Sequence, residues 1–312
     1  MSGPFVLAPL TITPTMLSSS TITEPAASET VWNAATTYTL GTEVILPTTH
    51  RVYENLIPGA DATSPDLAST QATPKWLDKR PTLLWAAFDS YVTTASTAVT
   101  SFTYVLRPGI FNALSFYGLS GATITVSIKT AVGGTVFYTY TGALQEPPVD
   151  YYDYYFGVIK PLSKLLLRNI IPYADPEVTI TVSAGTGVTV SCGMILVGDL
   201  RLIVAVDGTG GTQYGAKAKP TTTSLFVADG YGGIKIVRRT KATDMDFQAV
   251  LAQNDADSAL QSLQDVLDVP AAWIATDAAG YAGLNVFGLA SGDVNYADVN
   301  RAVLSVQVKG LF

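Results

Sequence analysis

Residues 123–142, TITVSIKTAVGGTVFYTYTG, decide the fold. Ile124, Val126 and Ile128 alternate with Thr123, Thr125 and Ser127, which is the period of a strand with one buried face. Gly133 and Gly134 break the pattern, and a second run rich in β-branched and aromatic residues follows. The stretch therefore predicts two antiparallel strands joined by a turn. Similar short runs recur on both sides: SFTYVL, FNALSFYGL, EVTITVSAG and GVTVSCGMILVG. Short strands at regular spacing with glycine punctuation predict an antiparallel β-sandwich or jelly roll over 83–206.

The composition agrees with a mainly β protein. Hydrophobic residues make up 48% of the 312 residues and charged residues only 14%, so Thr, Ser, Gly and Asn must cover much of the surface. That suits stacked sheets, and it suits surfaces buried against other subunits. The net charge is -7 and there is no Lys/Arg-rich run, so nucleic acid is not an expected partner. The single cysteine, Cys192, lies in an apolar stretch and reads as a small buried hydrophobe. No unbroken apolar run reaches the length of a membrane span, so membrane insertion is not expected. Pro4, Pro9 and Pro14 interrupt the place where a signal helix would lie.

Three further units frame the sandwich. Residues 1–30 mix Thr, Ser and Pro with short apolar alternations, and read as an extended arm, either a disordered tail or, the favoured reading, a strand lying on another subunit. Residues 31–82 read as a small β-module with a hairpin formed by TEVIL and RVYENL. Residues 207–312 read as a small α+β domain. It opens with a hairpin, SLFVADGYGGIKIVRR, whose Gly230, Gly232 and Gly233 can take positive φ. A helix follows, with Ala256, Leu260, Leu263 and Leu267 on its apolar face, and further strands after it receive that face.

Catalytic sets are scarce. His50, the only histidine, is expected in an exposed turn, and no Gly-x-Ser-x-Gly elbow accompanies it. The pairs Asp150/Asp153, Asp244/Asp246 and Asp255/Asp257 have spacings that glycoside hydrolysis could use, but spacing alone is weak evidence. The glycines of GDLRLIVAVDGTGGTQYG do not match a dinucleotide fingerprint, and the segment reads as an interdomain linker. No catalytic residue, metal site or cofactor is expected. The run DYYDYYFGVI, residues 150–159, is the most unusual composition in the chain. On a strand, Tyr152 and Tyr154 would share one face and Tyr151 and Tyr155 the other, as a subunit contact or a surface for stacking a sugar.

Residues 31–78 resemble the small chitin- and cellulose-binding β-modules, through Trp32, Tyr38, Gly41, Val44, Tyr53 and Trp76. The resemblance makes Tyr38, Tyr53 and Trp76 candidate carbohydrate-binding residues, or else the core of the module. The exposed aromatics that usually hold the glycan in that family are missing from ENLIPGADATS, and Thr42 stands where the family has an acidic residue. The longer run of GTQYG, GYGGIKIVRRT, one helix, WIAT and VLSVQVKGLF is similar to tail-associated virion proteins of long-tailed bacteriophages. That resemblance implies a non-enzymatic structural protein of the tail, baseplate or neck. It would be made in the host cytoplasm without a signal peptide, assemble with itself and other tail proteins, and dock fibres. The alternative is a receptor-recognition protein that binds host-surface glycan through the 31–82 module.

Overall fold

The computed structural model describes residues 3–311 except 61, 90–92, 147, 149, 159, 160, 204–210, 223, 229–232, 238–240, 277 and 279. The protein is mainly β, built from antiparallel strands, with the sandwich expected from the sequence. One sheet of the sandwich has the order Val136–Ala143, Thr123–Lys129, Glu177–Ser183, Ser101–Leu106, Leu17–Ser20. Ile124, Val126 and Ile128 point inward, as their alternation requires. They meet Leu114, Phe116, Ile195 and Val197 of the facing sheet in one buried cluster. Cys192 is buried in the same cluster, where loss of water around the thiolate pushes the thiol up to about 12.

The facing sheet does not stop at the sandwich. It runs Lys164–Leu167, Ala113–Tyr117, Met194–Leu202, Phe5–Pro9, Ala271–Ile274, Asn285–Asn295, Arg301–Gly310, Lys241–Ala252, Gly211–Thr212. Lys217–Thr222 pairs with Lys241–Ala252 off this path, which makes ten strands. The unit expected at 83–206 and the unit expected at 207–312 thus share one sheet, and the N-terminal segment joins them. Phe5 pairs with Leu202 on one side and with Ile274 on the other. The arm expected to lie on another subunit finds its partners within its own chain: Phe5–Pro9 enters this sheet, Leu17–Ser20 edges the other, and Ile12 and Ile22 fill the sandwich core.

The seam is packed on both faces. Val6 joins the core under the C-terminal helix, while Leu7 lies with Tyr117, Met194, Ala272 and Phe287 on the opposite face. The Tyr117 and Phe287 rings, from the two halves of the sheet, are 5.4 Å apart, and the Tyr117 hydroxyl donates to Asn285 Oδ1 at 3.2 Å. Gly198 is needed here because a Cβ would fall 2.0 Å from the Ala8 carbonyl oxygen.

In the C-terminal part, the helix Ala256–Gln264 packs on the sheet as expected, but its stripe is rotated. Ala256, Ala259, Leu263 and Val266 are buried, whereas Leu260 and Leu267 sit half-buried on the flank. Small Ala259 lets the helix approach closely, and Leu263 Cδ2 lies over Gly292. Of the hairpin glycines, Gly230 and Gly232 lie outside the described residues, as does the 204–210 part of the expected linker.

The small module is tied to the sandwich by the N-terminal segment. Glu24 accepts from His50 Nδ1 at 2.7 Å and from Thr82 Oγ1 at 2.6 Å, and the His50 ring lies 4.7 Å from that of Trp85. His50, expected in an exposed turn, is in that turn with φ +57, but its side chain is only 27% exposed. A carboxylate and an indole supplied from outside the module account for the difference.

Leu7→Asp places a charge at the centre of the seam, where nothing pairs with it. It should destabilise the protein by several kcal/mol, on the order of 3–5. Leu10→Asp, one turn of chain later and exposed, should change stability by less than about 0.5 kcal/mol. Denaturant unfolding of the two variants checks this, and equal midpoints would show that the strand does not hold the sheet together.

Candidate functional site

The aromatic residues of the 31–82 module form its interior. Tyr38 is 5% exposed, Tyr53 3% and Trp76 0%. Tyr38 and Trp76 meet edge to face with ring centroids 5.2 Å apart, and Val44 and Ala68 close the cluster, with Trp32 packed against it. The polar ends are used locally: Tyr38 Oη accepts from Asn33 N at 2.7 Å, and Tyr53 Oη lies 3.2 Å from Thr49 Oγ1. Burial raises the Tyr53 phenol above its ordinary range. A sugar ring needs an open aromatic face, and none of the three offers one, so the carbohydrate-binding candidates Tyr38, Tyr53 and Trp76 are corrected to core residues. A module this small draws its core from a handful of rings. Its charged face is a network rather than a site: Lys79 bridges Glu43 and Glu54, Arg80 joins Glu43, and Lys79 holds the Glu43 carboxyl below its usual range.

The tyrosine run is a helix, Tyr151–Phe156, and not a strand. Asp150 Oδ1 accepts from Asp153 N at 2.8 Å, capping the first turn, and the chain leaves at Gly157. A cap set by Asp150 overrides the strand preference of tyrosine. The helical turn fans the rings outward: Tyr151, Tyr152, Tyr154, Tyr155 and Phe156 are 67–86% exposed. The rings meet one another, Tyr154 and Tyr155 at 5.0 Å and Tyr152 and Phe156 at 5.4 Å. Pro148, Asp150, Tyr151, Tyr154 and Tyr155 line an open cleft of about 310 Å³. Exposed aromatic surface on this scale makes the helix a candidate interaction site.

A second exposed apolar surface lies in the hairpin that pairs Leu225–Ala228 with Ile234–Val237. Register places Leu225, Val227 and Val237 on one face and Ala228, Ile234 and Ile236 on the other. The large members of both sets are 37–69% exposed, and none of them enters a buried cluster. Period-two alternation would have marked a strand with one wet face. It is absent from Leu225–Ala228, where the unbroken apolar run was the sequence signal for apolar side chains on both faces of the hairpin.

One aspartate of each pair has a structural partner. Asp150 caps the tyrosine helix, Asp244 Oδ1 accepts from Gly310 N, and Asp257 Oδ1 accepts from the Tyr296 hydroxyl. Among the described residues no three His, Cys, Asp or Glu side chains are grouped to hold a metal ion, and no helix is long and apolar enough to cross a membrane.

No family model matches the chain, and no curated protein matches it. A solved structure of a mutant of chitosan-binding module 1, from a chitosanase/glucanase of Paenibacillus sp. IK-5, is 12% identical to it. The match covers 36% of this chain and 82% of that one, with a TM-score of 0.24, and so weak a likeness carries no argument about ligand.

Trp76→Ala should cost the protein about 3–5 kcal/mol, because it empties the centre of the module. Tyr154→Ala and Tyr155→Ala together should cost no more than about 0.5 kcal/mol, since exposed rings lose little on truncation. Thermal melts followed by near-ultraviolet circular dichroism separate the two. A stable Trp76→Ala protein would return the module to the list of ligand sites.

Proposed function

We propose that the chain is a non-enzymatic structural subunit of a bacteriophage tail, baseplate or neck, forming an oligomeric assembly that docks other tail or fibre proteins. The observation that carries the assembly role is the hairpin of Leu225–Ala228 and Ile234–Val237, apolar on both faces and open to water. A lone two-stranded hairpin is at best marginal in water, so one with two apolar faces gains from a partner on each side. Placement in a tail rests on the sequence resemblance, through GTQYG, GYGGIKIVRRT, WIAT and VLSVQVKGLF.

A second reading is host-glycan recognition. With Tyr38, Tyr53 and Trp76 buried, the observation that favours it moves to the open cleft between Tyr151, Tyr154 and Tyr155. Tyrosine rings of that exposure suit the apolar face of a sugar.

Immunogold labelling of purified virions of the encoding phage tests the first reading, and label on the tail, baseplate or neck is the expected result. Virions that carry none of the chain, while the lysate contains it, would overturn the reading. On a glycan array the wild-type protein should be blank. A signal lost in the Tyr154→Ala, Tyr155→Ala double variant would favour the second reading instead.

A further inference from the structure

The two exposed apolar surfaces differ in charge in a way that makes them complementary. In the sequence, residues 217–241 contain Lys217, Lys219, Lys235, Arg238, Arg239 and Lys241 against one acid, Asp229, while Asp246 and Asp244 stand opposite Lys217 and Lys219 on the neighbouring strand and leave Lys235 and Lys241 as the described bases without a facing carboxylate in the register. A third of the 18 basic residues of a chain with net charge -7 thus falls in this segment. Lys217, Lys219, Lys235 and Lys241 are all exposed. Between Lys129 and Lys160 the sequence has the opposite sign: Glu146, Asp150 and Asp153, with no base. Those carboxylates flank and interrupt the tyrosine helix, and Glu146 and Asp150 are exposed.

We propose that the hairpin of one copy docks on the Tyr151–Phe156 helix of a second copy. The contact rests on the assembly role argued above and names the two surfaces that meet. Within one copy they do not cover each other, since both stand exposed in the same chain. Five aromatic side chains at roughly 150 Å² each offer on the order of 750 Å², about one side of a standard protein interface. Apolar hairpin residues such as Ile234 and Ile236 fill the gaps between the rings. Lys235, on the opposite face of the hairpin, and Lys241 beside it in sequence meet carboxylates around the rim, where opposite charge sets orientation and encounter rate. Basic side chains can also lie over the tyrosine faces. Because the two surfaces are different, the contact is heterologous: each copy offers a hairpin to one neighbour and a helix to the other, and the chain of contacts closes into a ring or continues as a filament.

Sedimentation velocity on three proteins tests this. The wild-type chain should associate, less strongly as salt rises from about 0.05 M to about 0.5 M, because rim charges are screened. The hairpin variant Ile234→Asp, Ile236→Asp and the helix variant Tyr154→Ala, Tyr155→Ala should each weaken association by at least ~30-fold while keeping the wild-type melting temperature. The decisive sample is a mixture of the two variants. One retains an intact helix and the other an intact hairpin, so the mixture should form a dimer that neither forms alone and that grows no further. An oligomer unaffected by either variant would overturn this contact and leave the virion role standing. Loss of association in the hairpin variant alone would mean hairpins pair with each other, and a wild-type monomer at all concentrations would refute a contact between copies. A glycan that binds the wild-type helix without competing against assembly would also overturn it.

Discussion

The strand Phe5–Pro9 is hydrogen-bonded along both edges, and the rest of the molecule depends on that. Without it, Met194–Leu202 and Ala271–Ile274 would each end in a row of unpaired backbone groups inside the protein, at a cost of about 1–3 kcal/mol for every group left buried and unmatched. The side chains have the same dependence. Leu7 is buried in one cluster with Tyr117 and Phe287, so the ring contact that joins the two halves of the sheet is packed together with the N-terminal strand. The same segment then supplies an edge strand to the opposite sheet and the Glu24 carboxylate that anchors the module through His50 and Thr82. One short N-terminal segment thus reaches both sheets and the small module. Its partners are about two hundred residues away or more in the central sheet, a separation that slows folding by making loop closure precede reward.

How much of this was legible depends on the range of the interaction. TITVSIK announces a strand with one wet face because period two is local, and its three inward residues are buried as the pattern requires. The short apolar alternations near the N-terminus announce extended chain equally well, but a strand pattern does not say which edge it will pair with. An arm on another subunit and a seam strand at home have the same local sequence. The tyrosine run shows the opposite failure, a local signal that was present and outweighed. Asp150 three residues before Asp153 is a capping arrangement, yet the β-preference of five aromatics in six positions suggests a strand. The C-terminal helix was found, but its orientation was weighted towards its largest residues. Packing chose Ala259 over Leu260 because the sheet beneath needs a close approach, and Gly292 receives Leu263. His50 is in its expected turn, but its partial burial was not legible, because Glu24 and Trp85 come from outside the module.

Burial also separates two uses of aromatic residues that a sequence pattern treats alike. Tyr38, Tyr53 and Trp76 sit in a module with few other large side chains, and their rings are consumed in holding it together. Tyr151 to Phe156 sit on a short helix that buries none of them, and their rings are left over. The resemblance to sugar-binding modules follows the first set because spacing is a property of the scaffold. Availability for a partner belongs to the second set, which the scaffold does not specify.

An exposed hairpin with two apolar faces is also a hazard, since its nearest match is another copy of itself. The charges along it bear on that choice. Lys235 on the hairpin and Lys241 just after it would be brought towards their copies if two hairpins paired, and like charges in contact oppose the pairing. Against the acidic tyrosine helix the same lysines are attractive. The apolar side chains therefore supply the tendency to be covered and the lysines select what covers them, so removing the basic residues would redirect association from the helix towards hairpin-to-hairpin pairing rather than abolish it.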